Sequence, residues 1–209
     1  LCCADSINFD QTINLLMSRG KAMQNAVPKG EGGMTAILGA KIDEINEILN
    51  DKSRFDCFIA NDNSVGQIVV SGTLKSLKIL ENELTKKKIK FVQLQVSAPF
   101  HCPLMKKATI EMENKILDTN FKDPSISIIS NVTASPQNNS DEIKKLLIHQ
   151  IEKPVRWRES VLNMIDLGIN RFIEIGPGKV LSGLIKRIDR NIKLNQVNNL
   201  KDLNNIEND

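Results

Sequence analysis

The strongest constraint in this sequence is the order of short elements between residues 33 and 96. Apolar runs typical of strands alternate there with helical patterns. The strand-like runs are 34–39, 56–61, 67–72 and 90–96, and the helical patterns are 41–50 and 74–88. The order β-α-β-β-α-β within about 65 residues is the pattern of a ferredoxin-like unit. We therefore predict that residues 33–96 form an inserted ferredoxin-like subdomain.

The flanking segments carry longer elements that indicate a different architecture. Residues 8–26 have apolar side chains at helical spacing, with Asn8 as the predicted N-cap. Beyond His101 the predicted helices are 103–118, 140–152, 157–167 and 178–189, and the predicted strands are 126–131, 171–175 and 192–197. Strands that alternate with helices favour a parallel sheet. We assign residues 1–32 and 97–209 to one α/β domain, with a frayed tail after about residue 199.

Charge and cysteine content argue against several classes of function. The 209 residues carry a net charge of +3, with bases and acids interleaved, which does not favour nucleic-acid binding. No apolar run approaches the roughly 18 residues that a membrane helix needs. The four cysteines lack metal-ligand spacing and are typical of reduced thiols in a cytoplasm. The basic run Lys86–Lys90 is either a solvated helix end or a docking patch for an acidic partner.

His101 is the more informative of the two histidines. It follows a predicted strand and lies between Pro99 and Pro103, so its backbone should be rigid. Rigid placement suits a general base, although the residues alone leave a structural role open. Cys102 is adjacent, but neighbouring side chains project in different directions and rarely form a catalytic pair. His149 lies within a predicted helix and is expected at the surface.

Arg19 lies late in the first predicted helix. Either its guanidinium is solvated, or it forms a bidentate clamp on a carboxylate, for which its geometry suits it better than lysine. The segment Ile175–Gly178 closes a strand and opens a helix, and we interpret it as a turn without phosphate-binding function.

Six segments together resemble malonyl-CoA:acyl carrier protein transacylases, in family order and at family-like spacing. They are VSAPFHCPLM (96–105), RGKAMQNAVP (19–28), NSVGQIVVSG (63–72), SNVTA (130–134), QIEKPVRW (150–157) and EIGPGKVLSGLIKR (174–187). The resemblance extends to about residue 190. It implies a parallel-sheet, α/β-hydrolase-like large domain, incomplete in these residues, with the ferredoxin-like subdomain inserted.

The resemblance also implies roles for four residues. His101 would be the general base that activates a serine, and the backbone carbonyl of Gln150 would orient it. Arg19 would pair with the free carboxylate of the malonyl group. Phe100 matches a position associated with preference for malonyl over branched extender units.

The implied reaction moves a malonyl group from coenzyme A to the phosphopantetheine thiol of acyl carrier protein, through an acyl-serine. This is a step of fatty-acid synthesis. Malonyl-CoA would be a substrate, acyl carrier protein the partner, and no metal or bound cofactor is implied. An acyltransferase domain cut from a polyketide synthase is a less favoured alternative.

The chain departs from the family pattern at its beginning. It starts at Leu1 and contains no GxSxG motif, whereas the family serine lies a few residues upstream of the segment matching Leu1–Ala4. We expect the serine upstream of Leu1 or on a separate N-terminal chain. Loss of a triad nucleophile costs on the order of 10⁶ in kcat, so the isolated chain should be inactive, and it should also be poorly soluble. The alternative is a non-catalytic remnant or a carrier-protein-binding fragment.

Two smaller departures lie close together in the NSVGQ region. Asp62 occupies a position that is usually apolar or aromatic in the family, and Val65 occupies one that is usually proline. They concern the conformation of the local turn and leave the resemblance intact.

Overall fold

The computed structural model of the chain describes residues 1–51 and 53–206. Its helices are α1 (Phe9–Asn25), α2 (Ile42–Leu49), α3 (Leu74–Lys86), α4 (Lys106–Leu117), α5 (Ser140–His149), α6 (Trp157–Asp166), α7 (Val180–Ile188) and α8 (Leu200–Ile206). Its strands are β1 (Gly32–Leu38), β2 (Cys57–Ser64), β3 (Gln67–Thr73), β4 (Lys90–Gln93), β5 (Ile128–Ile129), β6 (Pro136–Gln137), β7 (Arg171–Ile175) and β8 (Lys193–Val197). Short 3-10 turns occupy Cys2–Ala4 and Pro103–Met105.

The first four strands form one antiparallel sheet in the spatial order β2-β3-β1-β4. This is the ferredoxin-like arrangement, so the architecture expected from the element order is confirmed. Helices α2 and α3 cover one face through a cluster of buried apolar side chains. Its fully buried members include Ile37, Ile45, Val70, Leu80 and Leu84. The limits 33–96 of a separate subdomain remain a prediction.

The opposite face of this sheet packs against the rest of the chain through Phe100. Four small or flexible side chains form that face: Met34, Ala36, Ala60 and Val69. The Phe100 ring contacts this cluster and also a second cluster that contains Met23 and Met105. One side chain therefore joins the ferredoxin-like sheet to the helical part of the molecule.

Helix α1, which carries Arg19, begins with a capping box. The Asn8 side chain accepts from the backbone N–H of Gln11 at 2.9 Å, and the Gln11 side chain accepts from the N–H of Asn8 at 3.4 Å. These bonds satisfy two of the N–H groups that a helix start leaves without partners. The N-cap predicted at Asn8 is confirmed.

The second half of the chain is α/β as predicted, but not every predicted strand joins a parallel sheet. Strands β7 and β8 do pair in parallel. The strand predicted at 126–131 is wrong in extent and direction, since β5 pairs antiparallel with β6. The cause is a tight turn, in which the N–H of Ala134 donates to the carbonyl of Ser130 at 2.8 Å and Ala134 has φ +56°.

The tail predicted to fray is helical in its first part, because α8 occupies Leu200–Ile206. The Asp202 carboxylate accepts from the backbone N–H groups of Asn198 and Asn199, at 2.8 and 3.2 Å. An acid in the first turn is favourable at a helix N-terminus. The last three residues lie outside the described part of the chain.

Strand β7 leaves apolar side chains in contact with water. Ile175 is 77% exposed and Ile173 is 43% exposed. Parallel sheets are normally covered on both faces, so this exposure is the structural basis for expecting low solubility of these 209 residues alone. Within the described residues, no helix combines the length and apolarity that a membrane span requires.

Gly72 provides a test of the β2–β3 register, in which it lies opposite Cys57. A Cβ at Gly72 would come within 2.4 Å of the Asp56 carbonyl oxygen and 2.9 Å of the Cys57 Cα. We expect Gly72→Ala to lower the free energy of unfolding of the native protein by about 1–3 kcal/mol, because backbone atoms cannot move aside easily. Urea denaturation measures this.

The control is Gly183→Ala in α7, where an added Cβ meets nothing within 4 Å. It should raise the free energy of unfolding by roughly 0.5–1 kcal/mol, through helix propensity. Equal effects of the two substitutions would contradict the register.

Candidate active site

The turn that carries His101 is tightly packed. Ala98 and Cys102 are fully buried, the Cys102 thiol donates to the Pro99 carbonyl at 3.1 Å, and the N–H of Phe100 lies 3.1 Å from the Ala98 carbonyl. His101 has φ +58°, in the left-handed region that residues other than glycine rarely adopt. Strained backbone of this kind persists where the surrounding structure enforces it, and it is concentrated at functional sites.

The His101 ring is oriented by a carbonyl group at the end of α5. Nδ1 of His101 donates to the backbone carbonyl of Gln150 at 3.0 Å. Gln150 is the C-cap of α5, where carbonyl groups lack partners within the helix. The partial negative charge of a helix C-terminus also favours an imidazolium next to it. The backbone thus provides what a carboxylate provides in a hydrolase triad.

This hydrogen bond determines the tautomer of His101. A carbonyl oxygen can only accept, so the proton of the neutral imidazole lies on Nδ1. Nε2 then carries a lone pair and can accept a proton.

The surroundings of His101 lower its pKa below the ordinary value. Burial is the largest cause, and the positive charge of Arg19 acts in the same direction. The hydrogen bond to the Gln150 carbonyl opposes this by raising the pKa, and the backbone of Lys153 acts in the same direction. Because the net shift is downward from 6.5, the ring is neutral at pH 7, as a general base must be.

The same shift couples His101 to stability. The folded state binds the His101 proton less tightly than the unfolded state does, so the contribution of this group to stability falls as the pH drops below about 6.5.

Arg19 is half-buried on α1, and burial lowers the pKa of its guanidinium. Within the described part of the chain, no acid lies within ion-pair distance of it. It lines a largely apolar cavity of about 330 Å³ together with Leu15, Met112 and Ile116. A partly buried cation without an anion is unfavourable, so this position suits a ligand carboxylate.

Of the other candidates, Cys102 does not provide a nucleophile, because burial raises the pKa of its thiol. His149 is exposed at the end of α5, as predicted. The turn at Ile175–Gly178 leads into α7, whose first amides are already occupied. The Glu174 carboxylate accepts from the N–H groups of Leu181 and Ser182, at 3.0 and 2.8 Å.

The four predicted site residues do not share one cavity. His101 lines a cavity of about 260 Å³ between α2, β2 and the segment after α5, whereas Arg19 lines the apolar cavity described above. Arg19 and His101 are nevertheless close enough for the charge of one to lower the pKa of the other. A further cavity of about 450 Å³, between β1 and α3, contains none of the four.

Sequence reasoning missed two features around the site. The Lys153 backbone, which raises the His101 pKa, gives no signal in the side-chain sequence. Asp62 was identified only as a departure from a family pattern, yet its carboxylate accepts from Arg158 at 2.8 and 2.9 Å. Its neighbours Asn61 and Asn63 are also polar, so no local sequence pattern indicated this ion pair.

Arg19→Gln should raise the pKa of His101, because it removes a nearby positive charge that disfavours the imidazolium. An NMR titration of the His101 ring in the native protein measures the shift. Arg190 is exposed, and Arg190→Gln is the matched control that should leave the His101 pKa unchanged. Equal His101 pKa values in the two variants would contradict the electrostatic coupling.

Comparison with known proteins places this arrangement in a family. The acyl transferase domain model matches residues 2–201. The malonyl CoA-acyl carrier protein transacylase of Bacillus subtilis strain 168 is 39% identical over 197 residues, which are 92% of this chain and 62% of that protein.

Two solved structures are similar over the whole of this chain. The malonyl CoA-acyl carrier protein transacylase from Clostridium perfringens ATCC 13124 has a TM-score of 0.95 at 36% identity, covering 66% of that chain. A malonyl-transacylase in complex with its type II PKS acyl-carrier protein has a TM-score of 0.95 at 33% identity, covering 69% of that chain.

This chain thus spans less than two thirds of the length of the Bacillus subtilis relative. The family model nevertheless covers nearly all of its residues, and the fold agrees throughout. The chain belongs to the acyl transferase family, among the malonyl CoA-acyl carrier protein transacylases that its motifs resemble.

Proposed function

We propose that this chain provides the general base and the carboxylate-binding arginine of a malonyl-CoA:acyl carrier protein transacylase. The observation that carries the proposal is the neutral His101 ring, held through Nδ1 by the Gln150 carbonyl at 3.0 Å. The similarity to transacylases supports it. The nucleophilic serine lies, in this proposal, outside the 209 residues, either upstream or on a separate chain.

In the proposed first step, Nε2 of His101 takes the proton of the serine hydroxyl as its oxygen attacks the malonyl thioester carbon. The carbon–sulfur bond then breaks, and the proton passes from His101 to the departing coenzyme A thiolate. In the second step the phosphopantetheine thiol of acyl carrier protein gives its proton to Nε2 and attacks the malonyl-serine ester. The serine oxygen leaves and recovers the proton. No metal or bound cofactor takes part in this scheme.

Arg19 provides selection in this mechanism. Its guanidinium has no acid of the described chain to pair with, and two parallel hydrogen bonds to the malonyl carboxylate would satisfy it. An acetyl group lacks that carboxylate and would leave the cation unpaired. Phe100, immediately before the base, would then limit space near the second carbon of the acyl group, which disfavours a branched chain.

The donor in the proposed reaction is a thioester and the acceptor is a thiol, and we assign the reaction to the cytoplasm. The competing proposal is a non-catalytic remnant or a fragment that only binds carrier protein, favoured by the absence of GxSxG from these residues. Acyl carrier protein is the partner in both proposals. They differ in whether His101 affects chemistry in the native protein.

His101→Ala in the native protein should lower kcat for malonyl transfer by a factor on the order of 10³ to 10⁶, because the proton acceptor is lost. His149→Ala, which changes an exposed histidine at the end of α5, is the control and should retain full activity. Steady-state transfer to acyl carrier protein measures both. Full activity of His101→Ala would exclude the proposed role.

Arg19→Gln should lower kcat/KM for malonyl-CoA by about 10- to 100-fold, which corresponds to one charge-assisted interaction. Transfer from acetyl-CoA should change little, so the ratio of the two substrates is the informative quantity. Arg19→Lys should recover only part of the loss, since an ammonium group cannot form the bidentate pair. A uniform loss for both substrates would contradict carboxylate recognition.

A further inference from the structure

An acid of the ferredoxin-like sheet forms an ion pair with the segment that follows the His101-orienting carbonyl. Asp62 lies in β2 and is only 7% exposed. Its Oδ2 accepts from two atoms of Arg158, Nε at 2.9 Å and a terminal nitrogen at 2.8 Å. The two residues are 96 positions apart in the sequence, so this contact links separate parts of the fold.

The backbone around Asp62 is bound to the same segment. The N–H of Asp62 donates to the carbonyl of Val155 at 3.0 Å, and the N–H of Val155 donates to the carbonyl of Ala60 at 2.8 Å. Val155 therefore extends the sheet beside β2 as a parallel bridge. The ion pair lies at the start of α6, three residues beyond this bridge.

The bridge is close along the chain to the carbonyl that orients His101 and to Lys153, whose backbone raises the His101 pKa. Gln150, whose carbonyl accepts from Nδ1, is five residues before Val155, and Lys153 is two residues before it. Between them, Ile151 is fully buried. A shift of Val155 away from β2 would therefore move the Lys153 backbone directly and disturb the end of α5.

Other charged groups lie near Arg158, but Asp62 has the largest effect on the Arg158 pKa. The hydrogen bond to Asp62 is the main cause that raises the Arg158 pKa, and Glu159 and Asp43 contribute only through their charge. Glu159 is itself paired with Arg156. Replacing Asp62 thus removes the principal partner of Arg158, whose side chain is 27% exposed and would be left without its hydrogen-bonded anion.

We propose that Asp62 and Arg158 are positioning residues for His101: the ion pair holds the segment 150–158 against β2 and thereby fixes the Gln150 carbonyl that orients the imidazole. Its catalytic consequence rests on the function proposed above, whereas its effect on the His101 ring does not. In this proposal, the orientation of the general base His101 depends on an ion pair that an acid of the ferredoxin-like sheet forms.

The test compares Asp62→Asn, Arg158→Gln and the double variant in the native protein. Asp62→Asn is nearly isosteric and should preserve the fold. Lys145→Gln is the matched control, because it removes an exposed ion pair with Glu142 on α5, the helix that ends at Gln150. The ¹⁵N resonances of the His101 ring and their titration report the Nδ1 hydrogen bond without requiring catalysis.

Each single variant should lower the His101 pKa, since the Gln150 carbonyl and the Lys153 backbone, which raise it, are displaced. The acidic limb of kcat/KM should move to lower pH, and kcat/KM on the pH-independent plateau should fall by about 10- to 100-fold, as expected for a misplaced base. In the double variant, the fall in kcat/KM and the shift of the His101 pKa should be no larger than in either single variant. Arg158→Lys keeps the charge and should recover part of the loss.

The proposal is overturned if the single variants lower the unfolding midpoint but leave the His101 resonances and pKa as in Lys145→Gln, because the pair is then only stabilising. It is also overturned if the two single effects add fully in the double variant. Absence of malonyl transfer in the unmodified protein would instead remove the proposed function, and the NMR comparison would still decide the positioning role.

Discussion

The hydrogen bond between His101 Nδ1 and the Gln150 carbonyl is the interaction on which the proposed chemistry depends. It joins two parts of the fold, the buried turn after β4 and the C-terminus of α5. A backbone carbonyl is a fixed acceptor that carries no titratable proton, so it holds one tautomer at every pH at which the ring is neutral. The left-handed backbone of His101 shows that the turn is constrained to present the ring in this way.

The electrostatic balance around His101 follows from the same arrangement. Burial and the charge of Arg19 lower its pKa, while hydrogen bonds to the backbone raise it. A ring that was only buried would be a weak base, and a ring next to a carboxylate would be charged near neutral pH. Arg19 thus has two effects in the proposed mechanism, since it binds the substrate carboxylate and keeps the base neutral. When a carboxylate binds, its negative charge should offset that of Arg19 and strengthen the base.

Hydrophobic periodicity predicted the order of the ferredoxin-like elements, because β1, β3, α2 and α3 bury apolar side chains. It failed at 126–131, where a tight turn between Ser130 and Ala134 redirects the chain and no apolar pattern marks the reversal. The tail that was predicted to fray forms α8 instead. Its segment is polar and has no apolar pattern, but the Asp202 carboxylate accepts from backbone N–H groups at the start of the helix. Contacts made by backbone atoms, or between residues as distant as Asp62 and Arg158, have no local pattern to detect.

We propose that these residues provide the base and the carboxylate site of the reaction, and that the nucleophilic serine lies outside them. Intact-mass analysis after brief mixing with malonyl-CoA, followed by peptide mapping, tests it directly. We expect one base-labile malonyl ester on the native protein, at a serine outside residues 1–209, and none on the 209-residue chain alone. A malonyl ester on any residue within 1–209, or turnover by the 209-residue chain alone, would contradict it.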